Sequence, residues 1–464
     1  MMEIKTAWTE LGGDPALAAR ASTVARRGAL ESRLPVRELA RACVGACALA
    51  AAELAVRRDG LAEVPGVLVD DGAVATAFHS ERNLLVDGRQ PVTFAPLSRL
   101  WRTADGWVRT HANYPHHRAR LLDVLGVPED VTAVEAALAE RSSREIEEAV
   151  YAAGGLAVAL RTPEEWASHE QALAVAARPL VERERLDAAP ARVLAPLDGT
   201  PRLPAAGLRV LDLTRVLAGP VATRTLALLG ADVLRVDPPH LPELPDQHAD
   251  TGFGKRSATV DLTVAGRTFE DLLESADVLV TGYRPGALDR FGLSPRALAE
   301  RRPGLVVAQV SAWGGYGPWG DRRGFDSLVQ VASGIAVTEG SAERPGALPA
   351  QALDHGTGYL LAAAVLRAVT EQSYDGGSRL VRLALARTAQ WLVGGLDAGT
   401  ASPGDAAYDG PGPWLAERDS ALGRLRYALP PVSFAGGPAD WARPPVVWGT
   451  DSARWRRTGP ADPP

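Results

Sequence analysis

The spacing of apolar positions changes repeatedly along this chain. Residues 208–213, 233–236, 258–262, 277–280 and 305–310 are short apolar runs suited to strands. Helical spacing follows at 221–229, where Gly230 closes the segment, and again at 359–369. Strands alternating with helices predict an α/β fold: an open, parallel, Rossmann-like sheet with helices on both faces. Such sheets hold ligands outside the carboxyl ends of their strands. The first strand ends near Thr214-Arg215-Val216, so a ligand is expected over residues 216–219. The turn Ala218-Gly219-Pro220 lacks the G-x-G-x-x-G spacing of a dinucleotide fingerprint. That argues against NAD and leaves another nucleotide-bearing ligand open.

A smaller α+β domain is expected at 95–187. It begins with two β runs at 100–108 around the Asp105-Gly106 turn. Helices follow at 116–125, 133–141, 143–153 and 163–177, the last started by Thr162 at the cap and Pro163. Residues 1–94 read as an irregular lead-in to 34, a long Ala-rich helix at 35–58 and a strand signal at 64–78. Residues 188–206, rich in Pro and Ala, read as a linker. The sheet domain then spans 207–396, and the Gly-, Pro- and Trp-rich tail at 397–464 is expected to wrap the surface. The run of helix, glycine break and strand at 41–78 recurs at 358–393 with low identity.

The 464 residues suffice for two or three domains. A formal charge of −6 argues against general nucleic-acid binding, which requires a basic face. No run of 18 apolar residues occurs, so no membrane span is expected. The opening MMEIKTAWTELGG lacks the pattern of an export leader, and a cytoplasmic location is the expectation. Cys43 and Cys47, the only cysteines, read as small apolar residues on one helix face. Lysine occurs only at Lys5 and Lys255, which singles out Lys255.

Asp354 stands between a Pro- and Ala-rich approach and the apolar helix. A carboxylate there either caps the helix or acts as a nucleophile or general base near helix N–H groups. His111, His116 and His117 form the only histidine cluster. Their spacing suits zinc poorly, so no metal is expected. They read as a polar loop-to-helix junction able to line an acceptor pocket.

In order along the chain come LRVLDLTRVLAGP, LLGADVLRVDPP, Lys255-Arg256-Ser257 before a strand, GYRPGALDRFGLS, YGPWG, GFDSLVQVASG and the Asp354 helix start. Together they resemble family III CoA-transferases, the CaiB/BaiF group. TADGWV and RTPEEW resemble the same family's small domain. The resemblance implies acyl-CoA and carboxylic acid substrates, with coenzyme A as part of the substrate and no tightly bound cofactor. It also implies an interlocked homodimer. It makes Asp354 the nucleophile, passing through an aspartyl anhydride and an aspartyl-CoA thioester. It puts CoA contacts at Val216, Leu217 and Ala218, at Lys255 near the adenosine phosphates, and at Arg290 and Phe291.

Several features depart from the family pattern. Pro238 stands where relatives often carry a basic residue, with Arg235 the candidate replacement. The glycine run that covers the family's active aspartate has its nearest substitute at 404–412, GDAAYDGPG. Phe325 stands where the family's racemases place a histidine. A CoA-thioester isomerase or racemase, or a catalytically weak paralogue acting as a binding partner, are the alternatives. The small-domain match also precedes the sheet domain, as if the back of one copy were joined to the front of another. On that reading residues 95–185 should meet Asp354.

Overall fold

The computed structural model describes residues 2–456 except 265, 400, 401 and 403. Seven strands make one sheet: β1 (Glu182–Arg185), β2 (Arg209–Leu213), β3 (Asp232–Asp237), β4 (Arg256–Thr259), β5 (Val278–Thr281), β6 (Val306–Ser311) and β7 (Arg379–Ala384). Their order is β4-β3-β2-β5-β6-β7-β1. Strands β2 to β7 are parallel, and β1 joins the edge antiparallel to β7. From β2 the chain steps outward to β3 and β4, then crosses back to place β5 on the other side of β2. A crevice results where the carboxyl ends of β2 and β5 lie side by side.

Side chains alternate between the two faces of each strand. Val210, Val233, Val278, Val280, Val306 and Ala308 enter one core, while Leu211, Leu213, Leu234, Val236, Leu279 and Val307 enter another. The second is closed by helices Arg267–Glu274 and Pro295–Arg301 through Phe269, Leu272, Leu273 and Leu298. The first and larger core holds α1 (Val36–Asp59), α2 (Ala218–Leu228), α3 (Asp326–Ala332) and α4 (Ala352–Asp375).

Helices α1 and α4 make the most extensive helix pair of the fold. Each has 24 residues, and each is followed by glycine, as Asp59-Gly60 and Asp375-Gly376. Alanine on nearly every face lets them lie buried all round. By length and hydropathy α1 could span a bilayer, yet 89% of its apolar window is buried in the fold. Gly358 brings α4 against α2: a Cβ there would meet the Ala218 carbonyl oxygen at 2.6 Å.

The smaller unit has three antiparallel strands, Leu100–Arg102, Trp107–Thr110 and Ala157–Ala159. Helices Pro115–Leu125, Val131–Ala139 and Ser143–Ala152 close it over Trp101, Val108, Leu121, Leu138, Ile146 and Val150. Residues 188–206 contain no regular element. In the tail, Leu415–Ser420 and Gly423–Ala428 form a hairpin that pairs with Leu85–Val86. Trp441 and Trp455 each donate an indole N–H to the main body, to the carbonyls of Arg224 and Leu272 at 2.9 Å.

Three local expectations need correction. The irregular lead-in contains helix Met2–Glu10, whose Ile4 and Trp8 are fully buried. The strand expected at 64–78 stops at Asp70, because the Asp70 carboxylate caps helix Asp71–Ala77 through Gly72 N–H. The helix expected at 163–177 divides into Pro163–Ala167 and Glu170–Ala176, where His169 caps the second piece.

Candidate functional site

A cavity of about 600 Å³ occupies the crevice between β2 and β5. That size suits a substantial small-molecule ligand. Val216, Leu217, Ala218 and Gly219 line it after β2, and Gly282, Tyr283 and Arg284 after β5. Arg290, Phe291 and Asp354 complete the set drawn from the sheet domain. Tyr114, His116 and His117 enter from the smaller unit, so the two regions meet at this cavity. Asp354, Val216, Leu217, Ala218, Arg290 and Phe291 are thus brought to one wall system.

The turn after β2 is strained and braced. Val216 has φ +70°, a conformation that a β-branched residue adopts only when its surroundings force it. The brace is Glu243, which is buried and accepts Val216 N–H at 3.1 Å. Glu243 also pairs with Arg235 at 2.9 Å and accepts the Tyr114 hydroxyl at 2.5 Å. Burial alone would raise its pKa, but Arg235, Arg215 and these hydrogen bonds bring it down to about 2. The carboxylate therefore stays charged and ties the smaller unit to the turn. Gly219 is required by close approach, since a Cβ would meet Thr214 at 2.4 Å. It sits in the first turn of α2, where N–H groups lack partners within the helix and favour anions.

Lys255 is not placed as the resemblance implied. It is 2% exposed, and its ammonium donates to Asp212 and to the Pro220 carbonyl, both at 3.0 Å. It contributes nothing to the cavity wall. A buried Asp212 carboxylate requires a cation, and Lys255 supplies it. Arg235 is likewise engaged by Asp237 and Glu243 and does not replace a missing phosphate contact. The cations that do border the cavity without a carboxylate partner among the described residues are Arg284, Arg290 and Arg323. The Arg290 guanidinium lies 4.6 Å from the Phe291 ring centre. Along the sequence Arg284 stands out only as part of GYRPG, and no periodic signal marks Arg323.

Asp354 is not the helix cap: Gln351 holds that position, and Asp354 lies in the first turn of α4. Its N–H donates to the Asp326 carboxylate at 2.9 Å. Among the described residues its own carboxylate receives no hydrogen bond. Burial, then the nearby charges of Asp326 and Glu81, push its pKa well above the usual carboxylate range. Asp326 is itself raised, mainly by burial. Glu81 bonds His355 Nε2 at 3.1 Å, and the His355 ring stacks on Phe78, which fixes this histidine away from the open cavity. Asp326 opens α3 in the GFD segment; its role beneath Asp354 depends on a contact across 28 positions that no local pattern reveals.

Residues 404–412 add nothing to the cavity wall; Ala406–Ala407 pairs with Arg26–Arg27 instead. Among the described residues no cluster of His, Cys, Asp and Glu is arranged to hold a metal ion.

A buried acid without a hydrogen-bond donor among the described residues, on the wall of a ligand cavity at the end of a parallel sheet, defines the general class of site. The family is given by sequence: the CoA-transferase family III profile matches residues 11–192 and 205–407, and this chain belongs to that family. Among curated relatives, the acetyl-coenzyme A transferase nodX of Hypoxylon pulicicidum is 36% identical over 203 residues, covering 42% of this chain and 34% of the relative. The probable fatty acyl-CoA transferase Rv3272 of Mycobacterium tuberculosis is 35% identical over 201 residues, covering 40% of this chain and 51% of the relative. The chain therefore spans a third to a half of the length of these two proteins. A solved CAIB/BAIF family protein from Brucella suis is 25% identical, with TM-score 0.37, over 48% of this chain and 65% of its own.

Proposed function

We propose that this chain transfers CoA from an acyl-CoA donor to a free carboxylic acid, with Asp354 as nucleophile. The strand order supports a Rossmann-like reading, in which ligands lie at the reversal between the first and fourth strands of the series, here β2 and β5. CoA would lie along Val216–Ala218, with its phosphates near the unpaired guanidiniums of Arg284, Arg290 and Arg323. The observation that carries the reading is Asp354 itself: a buried carboxylate with no hydrogen-bond donor among the described residues, on the wall of that cavity.

The chemistry balances within the site. A carboxylate oxygen of Asp354 attacks the thioester carbonyl; the C–S bond breaks, leaving a mixed anhydride and CoA thiolate. The thiolate attacks the Asp354 acyl carbon, giving an aspartyl-CoA thioester and releasing the donor acid. The acceptor carboxylate then attacks that thioester, and returning thiolate takes the acceptor acyl group and frees Asp354. Covalent catalysis divides one exchange into steps of lower barrier. Desolvation and absent donors leave the Asp354 carboxylate poorly stabilised and hence reactive once ionised.

The test is incubation with an acyl-CoA followed by hydroxylamine and peptide mass analysis. A hydroxamate at Asp354, lost in Asp354→Ala, supports transfer. Exchange of an α-proton with solvent and no adduct would replace it with the isomerase reading, and neither signal would leave a binding partner.

A further inference from the structure

A second chamber of about 50 Å³ adjoins the large cavity. Asp354, Val216, Leu217, Tyr114 and Phe325 border both, so the proposed nucleophile stands at their junction. The small chamber has room for about four water-sized groups. Two buried polar atoms on residues of its wall have no hydrogen-bond partner among the described residues: Ser327 Oγ and His111 Nδ1. Ser327 is 9% exposed and His111 5%. Leaving such atoms unpaired is costly, so a ligand group that pairs them gains affinity.

The charges around the chamber narrow the ligand further. Glu81 and Asp326 lie on its wall beside Asp354, and Asp246 is bound by Arg89. Arg82 is the one arginine or lysine on that wall, and its Nη1 donates to the Pro349 carbonyl at 2.8 Å. Arg82 already lies 3.9 Å from Glu81, so a second carboxylate on the ligand would meet acids and no free arginine or lysine on that wall. The His111 ring lies flat on Phe325, with ring centres 3.8 Å apart. Burial, and secondarily Arg109, lower its pKa to about 3, so the imidazole is neutral near pH 7.

We propose that this chamber holds the acyl group and selects short monocarboxylic acids, of about two to four carbons, that carry a hydroxyl. The proposal rests on the CoA-transfer reading above. A hydroxyl accepts from the Ser327 O–H and donates to His111 Nδ1 in its Nε2–H tautomer. A methyl leaves both atoms unpaired, and a chain of six carbons exceeds the space. Pairing of buried groups of this kind discriminates more strongly than loss of one methylene.

Unreactive CoA thioethers test the chamber without requiring turnover. S-(2-hydroxyethyl)-CoA, S-ethyl-CoA and S-hexyl-CoA are titrated calorimetrically into the full chain. The hydroxyethyl compound should bind about tenfold more tightly than the ethyl, and the hexyl compound about tenfold more weakly than the ethyl. Ser327→Ala should bring the hydroxyethyl-to-ethyl ratio close to one. A thermal melt checks that this variant folds, and the unsubstituted protein's ratios decide the matter if it does not. Tighter binding of the hexyl compound, no hydroxyl preference, or a preference unchanged in Ser327→Ala overturns the proposal. Thioether discrimination without an Asp354 adduct would remove the transfer reading and keep the chamber; an adduct without discrimination would do the reverse.

Discussion

Helices α1 and α4 are equal in length, buried on nearly every side and packed against each other, yet they treat one acid in opposite ways. Counting from each helix start, Glu38 of α1 corresponds to Asp354 of α4. Both residues are 6% exposed. Glu38 receives the Arg37 guanidinium at 2.7 Å and Gly399 N–H at 3.2 Å. Among the described residues the Asp354 carboxylate receives no hydrogen bond, and its own N–H lies on Asp326. Equal burial thus gives a satisfied structural acid in one helix and a perturbed acid facing a cavity in the other. The helix supplies the platform, and the neighbours decide whether an acid there can react.

Removing the two acids separately gives the sharpest contrast. Asp354→Ala should lower kcat for CoA transfer by at least about 1,000-fold and abolish the hydroxamate. Glu38→Gln should leave kcat and KM within about twofold, with only a modest fall in Tm from the weakened Arg37 contact. A large loss of turnover in Glu38→Gln would mean that the two helix starts share one function.

A second contrast separates the two cations that the resemblance grouped together. Lys255→Met leaves the buried Asp212 carboxylate with its Thr214 and Thr223 donors but without its cation, and should cost about 3–5 kcal/mol in chemical denaturation. The KM for acyl-CoA of the folded fraction should change little, because Lys255 does not reach the cavity. Arg290→Ala should do the opposite, raising that KM about tenfold, more so at low salt, while Tm stays put. Equal KM effects from the two variants would put Lys255 back among the ligand contacts.

The apolar runs at 208–213, 233–236, 277–280 and 305–310 fall on β2, β3, β5 and β6, because buried parallel strands are apolar on both faces and short. The break after β2 was legible for the same reason, and with it the turn that lines the cavity. Lys255 misled because its motif is local while its partner is not: Asp212 lies 43 positions earlier. The helix Met2–Glu10 was hidden by its polar composition; two large side chains, Ile4 and Trp8, anchor it. Asp71 shows the same limit. Next to Asp70 it extends what reads as a strand, but the Arg41 guanidinium pairs with it in the fold and Asp70 caps a helix instead. Pairings across distant segments set which charges are spent, and the spacing of residues along the chain does not report them.

The smallest expected effect concerns the cause of Asp354's raised pKa. After burial, the largest contribution is the charge of Asp326. Asp326→Asn removes that charge; its one amide oxygen can accept Asp354 N–H but not Gln330 Nε2–H as well, a pH-independent loss that cancels when two pH values are compared. The acid limb of the kcat/KM profile should therefore move to lower pH, by on the order of one unit. Stability supplies an independent readout with a definite sign. Asp326 has a pKa near 3.9 when unfolded; burial raises it in the fold, to about 6, as one of a pair with Asp354. Between those values the native state binds more protons than the unfolded chain, so stability falls as pH rises through the window. The penalty is absent below about pH 4 and full above about pH 6. Going from pH 4 to pH 7, Asp326→Asn should gain stability relative to the unsubstituted protein, by on the order of 1–3 kcal/mol. Glu38→Gln, whose acid is already paired, should show neither the moved limb nor this gain. If Asp326→Asn behaved like Glu38→Gln in both measurements, burial alone would account for the difference between the two helix starts.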